Sequence, residues 1–159
     1  METDMSNNNQ PHALLLLAHN EEQIGKLYEH YATCITHHRD FWKKHSTEEF
    51  KHAKWIHSLI ELVNKGIIDW DTKRFNEAAI RTMNSYVIEL TEKAQKRCPT
   101  TVEAISDAMS IETALIERKF FEAFESDNKQ FSDVISSIRE ETQKHLDEIK
   151  HLWNNYHNR

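Results

Sequence analysis

The chain has 159 residues, enough for one domain with a hydrophobic core. Only 2 glycines and 2 prolines interrupt it and 29% of its residues are charged, a composition typical of long amphipathic helices and not of a β-sheet protein. The 20 basic and 26 acidic residues give a formal charge of −6, which argues against nucleic acid or an anionic membrane as the main partner. We therefore expect an all-α protein.

Two features bear on cellular location. The apolar run at residues 14–17 is too short to span a membrane, and no charged and then apolar signal sequence precedes it. Cys34 and Cys98 form no CxxC motif, which excludes a zinc ribbon or a rubredoxin-type iron site, and we interpret both as buried small apolar residues. Since nothing demands an oxidising compartment, we expect a cytoplasmic protein that does not bind membranes.

Residues 1–11 are polar and rich in asparagine, and we expect a flexible N-terminal tail followed by a single domain over residues 12–157. From Leu14 onward, apolar residues recur at alternating spacings of three and four, which predicts a first helix with one buried face. One member of this buried stripe is Glu21. A buried carboxylate is costly unless it is paired or bound to a metal ion, so Glu21 marks a candidate site.

A second helix is predicted from Asp40, as its N-cap, to about Lys65, with Gly66 just past its end. Its buried stripe contains Glu49 and His52. Residues three apart lie on one face of a helix, so both side chains can reach one metal ion.

Residues 66–100 are less regular and predict a long, partly helical crossover in one or two pieces. Thr100 and Glu103 then have the spacing of a capping box, which predicts the start of a third long helix whose buried stripe contains Glu112. A turn at residues 126–128 leads to a fourth helix, running to about Tyr156, that buries His145.

Sequence distances from the two predicted turns test whether these polar residues meet. In an antiparallel hairpin, residues equidistant from the turn lie side by side. The midpoint of Glu21 and Glu49 is position 35, beside the predicted turn at residues 36–38, and the midpoint of Glu112 and His145 is 128.5, beside the turn at 126–128. Both hairpins therefore bring their buried polar residues to one level.

A four-helix bundle that holds two metal ions takes a Glu from each of two helices and a Glu-x-x-His pair from each of the other two. The fourth helix departs from this pattern, because Thr142 stands three residues before His145. The departure has three interpretations: an unequal second metal position, a position completed by Glu141 and water, or a single metal ion. We therefore predict as metal ligands Glu21, Glu49, His52, Glu112 and His145, with Glu141 as a sixth.

The same residues resemble those of rubrerythrin-like proteins in the ferritin-like superfamily. The resemblance covers roughly residues 13–153, and the crossover matches least. Its motifs are Glu21-Glu22-Gln23-Ile24 with Tyr28, Tyr31 and Ala32; Phe41-Trp42 ahead of Glu48-Glu49-x-x-His52-Ala53; Ile111-Glu112 with Phe120-Phe121; and Glu140-Glu141-Thr142-x-x-His145.

The resemblance implies a ferritin-like antiparallel four-helix bundle with a carboxylate-bridged di-iron centre, two iron ions per chain, that reacts with peroxide, O2 or ferrous iron. Manganese or zinc are alternative metals, although carboxylate and imidazole ligands suit iron or manganese better than zinc. Relatives form dimers and larger assemblies, so a homodimer is expected. Because the chain lacks a rubredoxin domain, electrons would come from a separate donor protein or from the iron being oxidised.

Three functions stay open on this basis. The first is a non-haem di-iron peroxidase or ferroxidase in oxidative-stress defence or iron handling. The second is a non-catalytic metal-binding, sensing or scaffold bundle with a degenerate site, which Thr142 favours. The third is a purely structural helical protein with scattered buried polar groups. Tyr28 and Tyr31 are either hydrogen-bond donors beside the ligands or plain core aromatics.

Overall fold

The computed structural model describes residues 9–68, 74–118, 120–124 and 126–157. Within these ranges it contains no β-strand, which confirms the expected all-α class. The five α-helices are α1 (Asn9–Cys34), α2 (Arg39–Asn64), α3 (Glu77–Lys96), α4 (Thr101–Glu117) and α5 (Lys129–His157). The first two predicted helices are α1 and α2, the crossover contains α3 in one piece, and the third and fourth predicted helices are α4 and α5.

Local sequence accounts for two of the helix ends, the start of α4 and the end of α2. Thr100 and Glu103 form the predicted capping box at the start of α4, each side chain bonding the backbone N–H of the other residue. Gly66 has a φ of 71°, the left-handed conformation that suits glycine after a helix.

Two predicted boundaries need correction. Asp40 does not cap α2: His38 occupies the N-cap position and Asp40 lies in the first turn, where its negative charge still favours the helix N-terminus. Residues 9–11, which we expected in the flexible tail, already belong to α1. The rest of the predicted tail lies outside the described residues.

The two hairpins are antiparallel. Between α1 and α2, Ser46 donates to the backbone oxygen of Gly25 (2.8 Å), and His57 lies 2.9 Å from Glu22. The later residue of α2 therefore contacts the earlier residue of α1, as in an antiparallel pair. A Cβ atom at Gly25 would lie 3.0 Å from the ring of Phe50, which shows that glycine permits the close approach of α1 and α2. A short 3₁₀ turn at Thr36–His38 joins them where the turn was predicted.

Contacts across the bundle fix the direction of the remaining helices. Tyr28 and Tyr31 on α1 bond to Glu112 and Asp107 on α4, so these two helices are antiparallel. The pairs Lys44–Glu148 and Lys51–Glu141 give the same relation between α2 and α5. The crossover helix α3 instead runs parallel to α1, as the pairs Asn20–Asn84 and His30–Ala94 show. The order of directions in the bundle is therefore up, down, down, up, with α3 covering α1.

A continuous apolar core fills the space between the helices, and a few buried polar side chains interrupt it. Trp42, Tyr28, Tyr31 and Phe131 are the largest of the fully buried side chains. In the part of the chain that the structure describes, no helix is both long enough and apolar enough to cross a bilayer.

Candidate metal centre

Three side chains from the first hairpin form one potential ligand group, called here the first triad: Glu21, Glu49 and His52. Nδ1 of His52 lies 3.5 Å from Oε2 of Glu21 and 3.3 Å from Oε2 of Glu49. Glu49 and His52 are three residues apart on α2 and therefore share a face, while Glu21 approaches from α1.

A second group, the second triad, consists of Glu49, Glu112 and His145. Nδ1 of His145 on α5 lies 2.7 Å from Oε1 of Glu49 and 3.8 Å from Oε1 of Glu112 on α4. Glu49 thus belongs to both triads, with Oε2 facing His52 and Oε1 facing His145. A carboxylate with one oxygen toward each of two ligand groups is placed to bridge two cations.

The ligand atoms are buried and lack ordinary hydrogen-bond partners. The five triad side chains are at most 1% exposed. Among the described residues, both carboxylate oxygens of Glu21 and Glu49, one of Glu112, and Nδ1 of both histidines make no hydrogen bond of acceptable geometry. Orphaned buried polar atoms are rare and costly, and a cation at each triad would satisfy them. Carboxylate and imidazole donors without thiolate suit iron or manganese, so the residues fit the metal centre that the sequence predicted.

The electrostatics of the two triads also indicate a site for positive charge. Burial lowers the pKa of His52, but the carboxylates of Glu21 and Glu49 beside Nδ1 outweigh it and raise that pKa to about 11. The pKa of His145 rises to about 12, since Glu112 and Glu49 likewise overcome the effect of burial. The carboxylates therefore hold a proton on each imidazole, and a metal ion that binds Nδ1 must displace that proton.

The carboxylates divide the charge unequally. Burial and the neighbouring Glu49 raise the pKa of Glu21 well above its ordinary value and also raise the pKa of Glu112. Burial would raise the pKa of Glu49 as well, but its interactions with the neighbouring Glu21 and His145 hold that pKa well below the usual range. The shared carboxylate is therefore the one that keeps its negative charge, as a bridging ligand must.

The outer nitrogens of the two histidines bind carboxylates from the opposite hairpin. Nε2 of His52 on α2 lies 2.6 Å from Oε2 of Glu141 on α5, and Nε2 of His145 on α5 lies 2.7 Å from Oε2 of Glu48 on α2. With the proton on Nε2 donated to a carboxylate, the lone pair of a neutral imidazole is on Nδ1 and points into its triad. Each of α2 and α5 thus supplies a carboxylate that binds the histidine of the other helix.

Glu141, the sixth predicted ligand, occupies a different place from the other five. Its carboxylate lies beyond His52 and pairs with Lys51 (3.0 Å) at the half-exposed surface, so it joins neither triad. Glu141 orients the imidazole of His52, and Glu48, for which no role was predicted, does the same for His145. The sequence contains a signal for both residues. Glu48 lies four residues before His52 on α2, and Glu141 lies four residues before His145 on α5.

Thr142 occupies the position where the two-metal pattern has a second shared carboxylate. Its side chain is fully buried, and its hydroxyl donates to the backbone oxygen of Ile138 at 2.8 Å. A threonine bonded to its own helix offers no bridging ligand. The two triads are thus connected by Glu49 on one side only.

Aromatic and imidazole rings line the side of the second triad. Tyr28 donates to Oε1 of Glu112 at 2.8 Å, which makes it a hydrogen-bond donor to a predicted ligand and not a plain core aromatic. His45 is fully buried, donates from Nδ1 to the backbone oxygen of Phe41 (2.8 Å), and packs its ring 4.9 Å from that of His145. These contacts restrict the orientation of Glu112 and His145.

The interpretation of the cysteines was wrong. Cys34 and Cys98 form a disulfide, with their Cα atoms 5.9 Å apart, and no cysteine is free. Cys98 is exposed and Cys34 half-buried. The two cysteines are 64 residues apart in sequence, so their pairing was not predictable from spacing. Only the parallel packing of α3 on α1 brings the ends of these helices together.

Comparisons with known proteins leave this geometry as the main guide to function. The chain matches no protein-family model, and no curated protein and no solved structure is significantly similar to it.

Proposed function

We propose that the chain is a two-metal carboxylate protein of the rubrerythrin and ferritin type, which binds two iron ions and reduces peroxide or O2, or oxidises ferrous iron. The observation that carries the proposal is Glu49, whose two oxygens face two different histidines in two buried triads. The order of helix directions, with one long crossover, agrees with a ferritin-like bundle.

The role of each residue follows from its position. Glu21 with His52 would hold one metal ion, Glu112 with His145 the other, and Glu49 would bridge them. Glu141 and Glu48 hold the two imidazoles in the tautomer that ligates through Nδ1. When bound, a pair of ferrous ions supplies two electrons and open coordination positions for an oxidant.

Burial of the site limits the substrate. Since the triad side chains are at most 1% exposed, only a small molecule such as peroxide or O2 reaches them without rearrangement of the helices. The surrounding core excludes bulk water, and Tyr28 fixes one oxygen of Glu112. These features favour a small oxidant over a bulky organic substrate.

A direct test uses the protein loaded anaerobically with ferrous iron. Addition of one equivalent of peroxide should produce a ferric absorption in the near-ultraviolet and consume the peroxide faster than the same iron does in buffer. Glu112→Gln should lose both effects. Glu140→Gln is a matched control, because Glu140 is exposed one residue from Glu141. Peroxide consumption no faster than that of free iron would refute the oxidoreductase proposal.

A second candidate function is supported by Thr142, which removes one of the two expected bridging carboxylates. In this proposal the bundle binds metal for sensing or scaffolding and does not turn over an oxidant. It predicts tight binding of one or two metal ions, together with a ferrous-loaded protein whose spectrum stays unchanged on addition of peroxide.

A further inference from the structure

The Cys34–Cys98 disulfide links the end of α1 to the segment between α3 and α4. These are the only two cysteines of the chain. Because Cys98 is exposed, an external thiol can reach its sulfur without unfolding the bundle, which is the condition for thiol–disulfide exchange.

Buried oxidisable rings connect the second triad with the region of this disulfide. Tyr28 is bonded to Glu112, and its ring centroid lies 5.4 Å from that of Trp42. The ring of Trp42 in turn lies 5.1 Å from that of Tyr31. All three side chains are at most 1% exposed, so the rings form a continuous contact that excludes water.

Tyr31 is the ring of this series that lies nearest to the disulfide along α1. Tyr31 and Cys34 are three residues apart on α1 and therefore lie on one face, about one turn apart. Tyr31 also lines a small surface cleft together with Arg97 and Pro99, the two neighbours of Cys98. Its hydroxyl donates to Oδ2 of Asp107 (3.2 Å), a carboxylate able to accept the phenol proton if the ring is oxidised.

We propose that Cys34 and Cys98 are a built-in two-electron donor for the metal centre, reached through Tyr31, Trp42 and Tyr28. The inference rests on the proposed function, and it supplies an electron source from the two cysteines of this sequence. The two thiols lose two electrons and two protons as the S–S bond forms. Hydrogen peroxide accepts both electrons and both protons, and its O–O bond breaks to give two water molecules. An external dithiol then reduces the disulfide by exchange at the exposed Cys98.

The test begins with protein that is reduced, loaded with ferrous iron and freed of added thiol under anoxic conditions. After repeated additions of peroxide, thiols per chain are counted by alkylation and mass measurement, alongside the ferric absorption. We expect both thiols to be lost in the loaded protein and to persist much longer in the metal-free protein. Tyr31→Phe should slow thiol loss at least tenfold without changing the metal count. Tyr156→Phe is the matched control, because that tyrosine lies near the end of α5, outside the series of rings.

The possible failures are distinguishable. A ferric absorption with both thiols retained would overturn the electron-donor inference and leave the proposed function standing. Equal thiol loss with and without metal would overturn it too, since peroxide would then react with the cysteines directly. Absence of both ferric absorption and thiol loss would overturn both proposals.

A measurement on the metal-free protein adds an independent criterion. In dithiothreitol buffers of increasing reducing strength, the inference requires reversible reduction of the disulfide with the helical circular dichroism unchanged. Loss of helix on reduction, or a disulfide that resists reduction until the chain is denatured, would overturn it.

Discussion

Glu141 on α5 lies 2.6 Å from Nε2 of His52 on α2, while Nδ1 of the same imidazole faces Glu21 and Glu49. His52 thus connects a half-exposed carboxylate to the buried triad. Glu48 and His145 repeat the relationship with the two helices exchanged. Each triad therefore depends on a residue from the opposite hairpin for the orientation of its histidine.

Removal of the outer carboxylate should weaken metal binding without removing a ligand. We expect Glu141→Ala to reduce the affinity of the first triad by about 10–100-fold, since partners of ligating histidines typically contribute that much. Glu141→Gln should lose less metal affinity than Glu141→Ala, because its amide oxygen still accepts a hydrogen bond from Nε2 although it lacks the negative charge. Competition with a coloured chelator measures the affinity, and Glu140→Ala is the control. Wild-type affinity in Glu141→Ala would contradict the positioning role.

A carboxylate at position 142 should supply the missing second bridge. In Thr142→Glu we expect the weaker of the two metal ions to bind about tenfold more tightly, because each added charged ligand increases affinity. Without metal the variant should lose about 1–3 kcal/mol of unfolding free energy, because it buries an unpaired polar group.

Calorimetric melting with and without metal measures both effects of Thr142→Glu. Thr142→Val is the matched control, as it removes only the hydroxyl bonded to Ile138, at a cost of about 1 kcal/mol. If Thr142→Glu binds metal no better than Thr142→Val does, position 142 does not face the centre.

The metal-free protein should lose stability as pH rises. The folded-state pKa values of His52 and His145, about 11 and 12, exceed the unfolded value of 6.5. Their contribution is therefore fully present below pH 6.5 and declines as pH rises toward 11. The raised pKa values of Glu21 and Glu112 also make the folded protein less stable as pH rises. We expect a lower melting temperature at pH 8.5 than at pH 6.5.

Bound metal should reverse this trend, because deprotonated ligands bind metal more tightly. The stabilisation caused by metal is thus expected to grow between pH 6.5 and 8.5. His57→Gln, at an exposed position paired only with Glu22 among its described contacts, controls for general effects of histidine substitution. A melting temperature of the metal-free protein that is flat or rising over this range would contradict the charge arrangement of the triads.

Much of the candidate site was predictable because residues three or four apart in a helix lie on the same face. The stripes that contain Glu21, Glu49 and Glu112 also specified which face is buried, and two turn positions set the level at which the hairpins meet. His52 and His145 followed from the same periodicity. The first predicted turn is confirmed by the short connection between α1 and α2, whereas α4 already ends at Glu117, well before the second turn predicted at residues 126–128.

The contacts that escaped prediction depend on how one hairpin rotates against the other. Glu141 sits 100° from the stripe of α5, so only the packing of α2 beside α5 decides that it meets the outer nitrogen of His52. The Cys34–Cys98 pair depends on α3 running parallel to α1, and the irregular pattern of residues 66–100 did not specify that direction.

The most direct measurement is the number of iron ions per chain in the wild type, Glu21→Gln and Glu49→Gln, after anaerobic loading and removal of free metal. We expect two iron ions in the wild type. Because Glu21 belongs to one triad and Glu49 to both, we expect one ion in Glu21→Gln and none in Glu49→Gln. Circular dichroism would show that all three proteins are equally helical. A wild type that binds no iron, or a Glu49→Gln variant that still binds two, would contradict a centre bridged by Glu49.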